Sequence, residues 1–410
     1  MKFVDEPIVI TGTGCVTPLG TNTEQTYTAC INNQSGIDIV RNVPYVENEY
    51  AGQVPENWNS ETVFPKKKHR LYDRFMLLMF DAVDQALSQS DPMSWYEHER
   101  VGIAIGSGVG GLQTYQNAIA SVFADNKKVS PFVLPALLIN LAGGHVSQHW
   151  NIKGPQQTAS SACATSAQSI VNAVRMIQLN EADCVVAGGS EAAVTKIGLL
   201  AFGAMRALST SYKNEPKRAS RPWDKDRDGF ILSEGAGAMV IERESTAKKR
   251  GAFILAYVAG IGQSSDAYHF TAPCSSGDGA QRAMKMALNS ADIEASEVGY
   301  INAHATSTLL GDDVELLAIE NVFDNPIISS TKSHHGHLLG AAGVVESIIT
   351  IESLNNGVAP GTLNLETPSQ LSSKVQRPIE SSYIETKYAL SNSFAFGGIN
   401  ISLIYKRGDN

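Results

Sequence analysis

The stretch TASSACATSAQS, Thr158 to Ser169, holds a single cysteine, Cys163, just ahead of a helical pattern. Ile170, Ala173, Val174 and Ile177 recur at three- and four-residue spacing, which predicts a helix with one buried face directly after Cys163. At a helix N-terminus the unpaired N–H groups and the positive dipole end favour a thiolate over a thiol, so the position suits a nucleophile at neutral pH. The flanking alanines and serines leave little bulk, and a substrate or a second stretch of backbone can approach closely. A buried structural cysteine is the alternative reading, because free cysteine is among the most buried residue types. The rest of the chain has to decide between the two.

Outward from this stretch, strands alternate with helices. Ile8 to Thr11 reads as a short buried strand ending at Gly12 and Gly14, with a helix from about Asn22. Phe75 to Leu87 has helical periodicity; Val101 to Ile105, Asp183 to Gly189 and Gly237 to Ile241 read as strands, and Ala219 to Ser233 as a polar loop. Near Gly251 the pattern restarts. Phe253 to Ile261 is strand-like, Ala280 to Leu288 helical, Gly299 to Asn302 a strand end, Ile327 to Ser329 a strand and Ala341 to Leu354 a helix. Tyr388 to Ser391 and Ile399 to Tyr405 flank a glycine-containing turn as the last strands. A βαβ series that runs out and begins again predicts an α/β protein of two similar halves, 1–250 and 251–410. No low-complexity linker parts them, so they are expected to share an interface.

Composition narrows the function. The 410 residues are 43% hydrophobic and 18% charged, with a net charge of −9, which argues against a nucleic-acid binder and leaves local basic patches as the electrostatic signal. Lys66, Lys67, Lys68, Arg70 and Arg74 form one such cluster, and Lys127 and Lys128 another. The five cysteines are odd in number and widely spaced, with no CxxC pair, which suits a reducing cytoplasm rather than a disulfide framework or zinc ribbon. No apolar stretch approaches the ~20 residues of a membrane span, and a soluble cytoplasmic protein is expected.

Four other stretches invite a chemical reading. GSGVGG, Gly106 to Gly111, follows a strand and fits GxGxxG, with Asp125 roughly where a dinucleotide-binding acid belongs; buried strands also commonly end in glycine. NAHATST, Asn302 to Thr308, sets His304 directly after a strand beside Thr306 and Thr308. STKSHHGHLLGAAG, Ser330 to Gly343, holds Lys332 and His337 ahead of a small-residue helix start, and SNSFAFGGIN, Ser391 to Asn400, places two glycines after Phe396. Strand ends are where α/β folds place their sites. His334, His335 and His337 lack a nearby carboxylate to complete a metal-ligand set, and no metal is expected. Ser329 and Lys332 form an SxxK pair without the partner motifs a serine nucleophile needs. Two histidines, a lysine and a poised cysteine favour a thiol-centred site.

SSACATSA with Cys163, NAHATST with His304, TKS with Lys332, GHLLGAAG with His337 and NSFAFGG with Phe396 together resemble the elongating β-ketoacyl-acyl-carrier-protein synthases. SRPWDKDRDGF and SSDAYHFTAP extend the likeness over nearly the whole chain. The resemblance implies a thiolase-like fold, two pseudo-symmetric βαβ halves in a layered α/β/α/β/α arrangement, and a homodimer or a heterodimer with a second synthase-like subunit. It implies no cofactor, and a decarboxylative condensation of malonyl carrier protein with an acyl group held on Cys163, for fatty-acid or polyene and polyketide chains. His304 and His337 would hold the malonyl thioester carbonyl, Lys332 would tune the set with Glu346 as its partner, and Phe396 would gate the acyl pocket. Thr271, Thr306 and Thr308 would bond the phosphopantetheine arm, and the basic clusters, among them Lys67, Lys68, Arg70, Lys127 and Lys128, would dock the acidic carrier protein. Where the family usually has glycine this chain has Ala305 and Ala395; Ile399, His334 and His335 also depart from its pattern, and these positions bear on acyl-chain preference. A chain-length factor shares the fold but lacks the nucleophile, and a degradative thiolase needs a second cysteine that Cys274 is not placed to supply.

Overall fold

The computed structural model describes residues 6–44, 46–47, 49–60, 71–123, 128–369 and 374–408. Its main sheet has ten strands. In chain order they are β1 (Ile8–Val16), β2 (Val101–Gly106), β3 (Gln156–Gln157), β4 (Cys184–Glu191) and β5 (Gly235–Arg243). There follow β6 (Ala256–Ser265), β7 (Val298–Asn302), β8 (Ile327–Ser329), β9 (Tyr388–Ala395) and β10 (Ile399–Arg407). Across the sheet they run β8-β7-β9-β10-β6-β1-β5-β4-β2-β3. Each strand of the first five has a counterpart five places later. β1 pairs antiparallel with β5 as β6 does with β10, and β2 lies parallel between β4 and β3 as β7 lies between β9 and β8. Among the described residues the two half-sheets pair only at Val9 opposite Tyr257 and Ile10 opposite Ala256.

Six helices matter for the site: α1 (Arg74–Ser90), α2 (Leu112–Phe123), α3 (Thr165–Gln178), α4 (Asp278–Ala291), α5 (Leu309–Glu320) and α6 (Ala342–Asn356). α1 covers the outer face of the first half-sheet and α4 that of the second. Between the half-sheets lie α3 and α6, whose apolar residues share one core with both; Ile170, Val174 and Ile177 meet Val344, Val345 and Ile348 there. Five layers result, α/β/α/β/α. Because α6 is enclosed by neighbours, it is buried almost all round, which is why small residues fill its first turn.

β1 does not stop at Gly12 and Gly14 but runs on to Val16. The glycines serve helix packing instead: a Cβ on Gly12 would strike the Ala86 carbonyl and one on Gly14 the Ala82 carbonyl, both on α1. β6 begins at Ala256 rather than Phe253, which is exposed ahead of it. The helix expected from about Asn22 starts at Thr23, with the Asn22 side chain capping Gln25 N–H. Among the described residues no helix is long and apolar enough to cross a membrane.

Candidate active site

Cys163 lies in a 3-10 turn, Ala162–Ala164, that runs directly into α3, and the preceding Ala162 has φ +48°. A non-glycine residue in the left-handed region carries strain that surrounding structure must hold. Thr165 helps to hold it, accepting from Ser161 N–H at 2.9 Å and donating to Ala162 O at 2.7 Å. The counterpart turn in the second half, Leu339–Ala341 at the start of α6, is built alike, with Leu339 at φ +47°. His337 comes just before it. Its Nε2 is 3.0 Å from Cys163 Sγ, its ring is 5.4 Å from that of His304 at 83°, and Phe230 packs on it edge-on at 5.3 Å. Cys163 Sγ and a ring nitrogen from each histidine all lie within 4.8 Å of one another.

Burial favours the thiol form of Cys163 over the thiolate. Burial pushes its thiol up to about 12, outweighing the opposing pull of Lys332, so the helix N-terminus does not ionise it as the sequence suggested. A proton must therefore leave as the sulfur attacks, and His337 Nε2 is the nearest acceptor. Burial, reinforced by the Lys332 charge, holds both His304 and His337 well below the usual imidazole range, so each is neutral and each can receive or donate one proton.

Lys332 stands behind the histidines, 1% exposed, with Nζ 2.5 Å from Glu346 Oε1, the pairing expected from sequence. His334 and His335 turn away from His337. The first contacts the carbonyls of Gln34 and Gly361, the second that of Gly336 and the Thr331 hydroxyl, so the three do not form one ligand set. Ser329 bonds Tyr300 OH, which leaves the SxxK pair without a role.

A cavity of about 400 Å³ opens from Cys163. Thr271, Thr306, Thr308 and Phe396 line it, as does Cys274, which is no part of the thiol–histidine cluster. Thr306 and Thr308 face each other, 3.1 Å between hydroxyl oxygens. Lys128 is exposed on a separate groove. Arg74 is committed elsewhere: its guanidinium grips the buried Glu234 through two bonds of 2.7 Å and lies 5.0 Å over the Trp58 ring. Lys66, Lys67, Lys68, Arg70, Asp125 and Lys127 fall outside the described residues.

The GxGxxG stretch has a different purpose from nucleotide binding. Glu191, at the end of β4, accepts from Ser107 Oγ at 2.8 Å, Gly108 N–H at 2.9 Å, Val109 N–H at 3.2 Å and Gly340 N–H at 3.1 Å. Gly108 must be glycine for this approach, since a Cβ there would come 2.7 Å from Glu191 Oε2. On the other side, Glu315 of α5 accepts from His304 N–H at 2.8 Å and the Asn392 amide at 3.1 Å. Asp312, one turn earlier, takes the N–H groups of Ser307, Thr308 and Trp223, with Arg227 3.3 Å away. Sequence reasoning missed Glu191, Asp312 and Glu315. Their signal was carboxylates at positions that strand and helix periodicity assign to the interior: Asp312, Glu315 and Ile319 lie on one face of α5, all buried.

Comparison with known proteins returns one family. The Beta-ketoacyl synthase N-terminal domain matches residues 5–247 and its C-terminal domain residues 255–366. The 3-oxoacyl-[acyl-carrier-protein] synthase 2 of Vibrio cholerae is 42% identical over 98% of this chain and 99% of its own. A beta-ketoacyl synthase crystal structure from Burkholderia phymatum superposes with a TM-score of 0.89 at 31% identity, covering 98% of this chain and all of that one. A type II polyketide ketosynthase, solved in complex with its acyl-carrier protein and bound to the hexaketide, superposes at 0.88 with 27% identity over 98% of this chain and all of its own.

Proposed function

The chain belongs to the β-ketoacyl synthase family, and from that premise we infer how its own residues divide the work of one decarboxylative condensation. It is an acyltransferase of the thiolase-like fold, a 3-oxoacyl-acyl-carrier-protein synthase in chain elongation. The observation that carries the division of roles is the 3.0 Å contact between Cys163 Sγ and His337 Nε2 in the lining of a largely apolar cavity.

In the first half-reaction Cys163 sulfur attacks the thioester of an acyl carrier protein. Its proton passes by way of His337 Nε2 to the departing phosphopantetheine thiol, and the acyl chain stays on Cys163. The N–H groups of Cys163 and Phe396 hold the oxyanion. In the second, malonyl carrier protein enters and its thioester carbonyl accepts from His304 and from His337, whose neutral ring then carries its one proton on Nε2 rather than Nδ1. Carbon dioxide leaves, the enolate's carbon attacks the acyl carbonyl, and the Cys163 thiolate is expelled and takes up a proton from water. Neutral histidines suit this step because donor N–H groups, not charges, meet the developing oxyanion. Lys332 and Glu346 position the histidines, Phe396 gates the acyl pocket, and Thr271, Thr306 and Thr308 hold the phosphopantetheine arm. The N-terminal half, 1–250, thus supplies the nucleophile and the C-terminal half, 251–410, the decarboxylating pair.

The carrier protein docks on basic residues, with Lys67, Lys68, Arg70, Lys127 and Lys128 as the contacts. A second copy of the chain covers the apolar surface of Tyr115, Ile119, Phe123, Phe132, Leu134 and Leu200, which are all exposed in the single chain. A reducing cytoplasmic setting fits its five free cysteines.

Intact mass after incubation with acyl carrier proteins of several chain lengths tests the reading. A mass increase is expected for the wild type and not for Cys163→Ala, while Cys163→Ala keeps malonyl decarboxylation because both histidines remain. Acylation of Cys163→Ala, or normal decarboxylation by His337→Ala, would overturn the assignment.

A further inference from the structure

The thiol and two imidazoles that carry out the condensation also make a three-ligand set for a thiophilic divalent cation. We propose that Cys163, His304 and His337 bind one Zn2+ ion and that this ion is a reversible dead-end inhibitor of the synthase. Neither the family assignment nor the proposed reaction requires or implies such a ligand.

The geometry is close to what zinc needs. Zn–S bonds of about 2.3 Å and Zn–N bonds of about 2.0 Å at tetrahedral angles put ligand atoms about 3.5 Å apart. Here one sulfur–nitrogen separation is 3.0 Å and the three ligand atoms lie within 4.8 Å, so side-chain rotation alone closes the set on an ion. The Nδ1 atoms of both His304 and His337 are buried without a hydrogen-bond partner, so no hydrogen bond at Nδ1 fixes either ring. Lys332, the nearest cation, is matched by Glu346, so a dication does not meet an unpaired positive charge. The cavity leaves a fourth position open to water, the pattern of a three-ligand site with one exchangeable place.

On binding, the Cys163 S–H bond breaks, its proton goes to solvent, and one Zn–S and two Zn–N bonds form with no change of oxidation state. The sulfur lone pair that would attack a thioester is then held by the metal, and the same ion occupies the nitrogens that would meet the malonyl carbonyl. Both half-reactions stop together, which sets this ligand apart from a cofactor.

The test uses purified protein without carrier protein, whose own thiol would compete for the metal. Equilibrium dialysis against nitrilotriacetate-buffered Zn2+, read by metal analysis, is expected to give one ion per chain. Affinity should fall about 100-fold or more in each of Cys163→Ser, His304→Ala and His337→Ala, since even outer-shell changes cost 10–100-fold. Iodoacetamide labelling of Cys163, followed by mass, should be slowed by Zn2+ and restored by EDTA. Two controls keep the result clear of misfolding and of other thiols: wild-type protein acylated beforehand should lose the ion with no substitution made, and Cys274→Ser should retain it. Equal affinity in wild type and Cys163→Ser, or unprotected Cys163 at saturating Zn2+, overturns the proposal. Acylation measured in EDTA stays independent of the metal, so a failed zinc site leaves the catalytic assignment standing.

Discussion

Two loops leave equivalent strands of the two half-sheets, and a fully buried carboxylate pins each of them. After β2, Ser107 to Gly111 is drawn onto Glu191; after β7, Ala303 to Thr308 is drawn onto Glu315 and Asp312. The same place in the repeat has opposite uses. The first loop offers backbone and Val109 to the cavity and becomes a wall, whereas the second offers the side chains of His304, Thr306 and Thr308, to which the proposed chemistry is assigned. A pseudo-symmetric fold can therefore keep one scheme of anchoring while only one copy acquires reactive side chains.

The sharpest way to break this comparison is to remove the reactive group from the second loop. His304→Ala should lower malonyl decarboxylation by about 100- to 1,000-fold, the loss expected from one oxyanion donor, while the acyl-enzyme still forms in intact-mass measurements. Gly108→Ala, in the wall loop, should show no such split: its Cβ crowds Glu191, and overpacking of this kind costs about 1–3 kcal/mol of stability. If the two variants impaired the same half-reaction to the same degree, the wall and the reactive loop would not be distinct.

Anchoring itself is the next target. Glu191→Ala leaves the Gly108, Val109 and Gly340 N–H groups without their acceptor, and at about 1–3 kcal/mol per buried unsatisfied donor the loss should reach about 3 kcal/mol or more. Urea denaturation should rank it below Glu315→Ala, which orphans His304 N–H and the Asn392 amide. The reverse ranking would mean that the second loop depends more on its carboxylate than the first.

The residues to which the chemistry is assigned were legible in sequence, and those that anchor the loops were not. Hydrophobic periodicity marks the helix that follows Cys163 and the strand ends beside His304, Lys332 and His337, and the structure brings Cys163, His304 and His337 together with Lys332 behind them. Strand and helix alternation likewise gave the α/β class and the restart near Gly251. What periodicity cannot show is a partner distant in sequence. Glu191 lies 83 residues from Gly108 and 149 from Gly340, so nothing local distinguishes the glycines that reach it from a phosphate-binding turn. The strained turns at Ala162 and Leu339 are equally silent, because alanine and leucine do not advertise positive φ. The thiolate expectation failed for a related reason: the helix N-terminus is readable from sequence, but the desolvation that outweighs it is set by the whole fold.

A pH series sharpens the contrast further. Burial raises Glu315 from 4.5 to about 7 and Asp312 from 3.8 to about 7, so in this window the folded state binds more protons than the unfolded one. The stability tied to these two is present below their unfolded values and is lost as pH rises through about 7. His304 and His337 work in the other sense. Their folded values are lowered, so stability present above the ordinary histidine value is lost as pH falls through them. Denaturation midpoints measured from pH 5 to 8.5 should therefore fall less between about pH 5 and 7 in Glu315→Gln than in wild type. An unchanged slope would show that Glu315 does not titrate in this range.

The smallest effect belongs to the rim of the reactive loop. Thr308 touches Thr306 through its hydroxyl at the cavity wall, yet its backbone N–H is already held by Asp312, so Thr308→Val alters the side chain without freeing the loop. Removing one hydrogen bond to a bound phosphopantetheine arm is worth about 0.5–1.5 kcal/mol. That contact is made alike in the ground and transition states, so KM for the carrier protein should rise severalfold with kcat unchanged, the signature of lost uniform binding. Val109→Ala, at the corresponding rim of the wall loop, removes apolar surface from the cavity and should leave that KM alone while shifting preference among acyl chain lengths. A fall in kcat for Thr308→Val would instead mean that this hydroxyl helps to aim His304, and the loop's binding and chemical roles would be one.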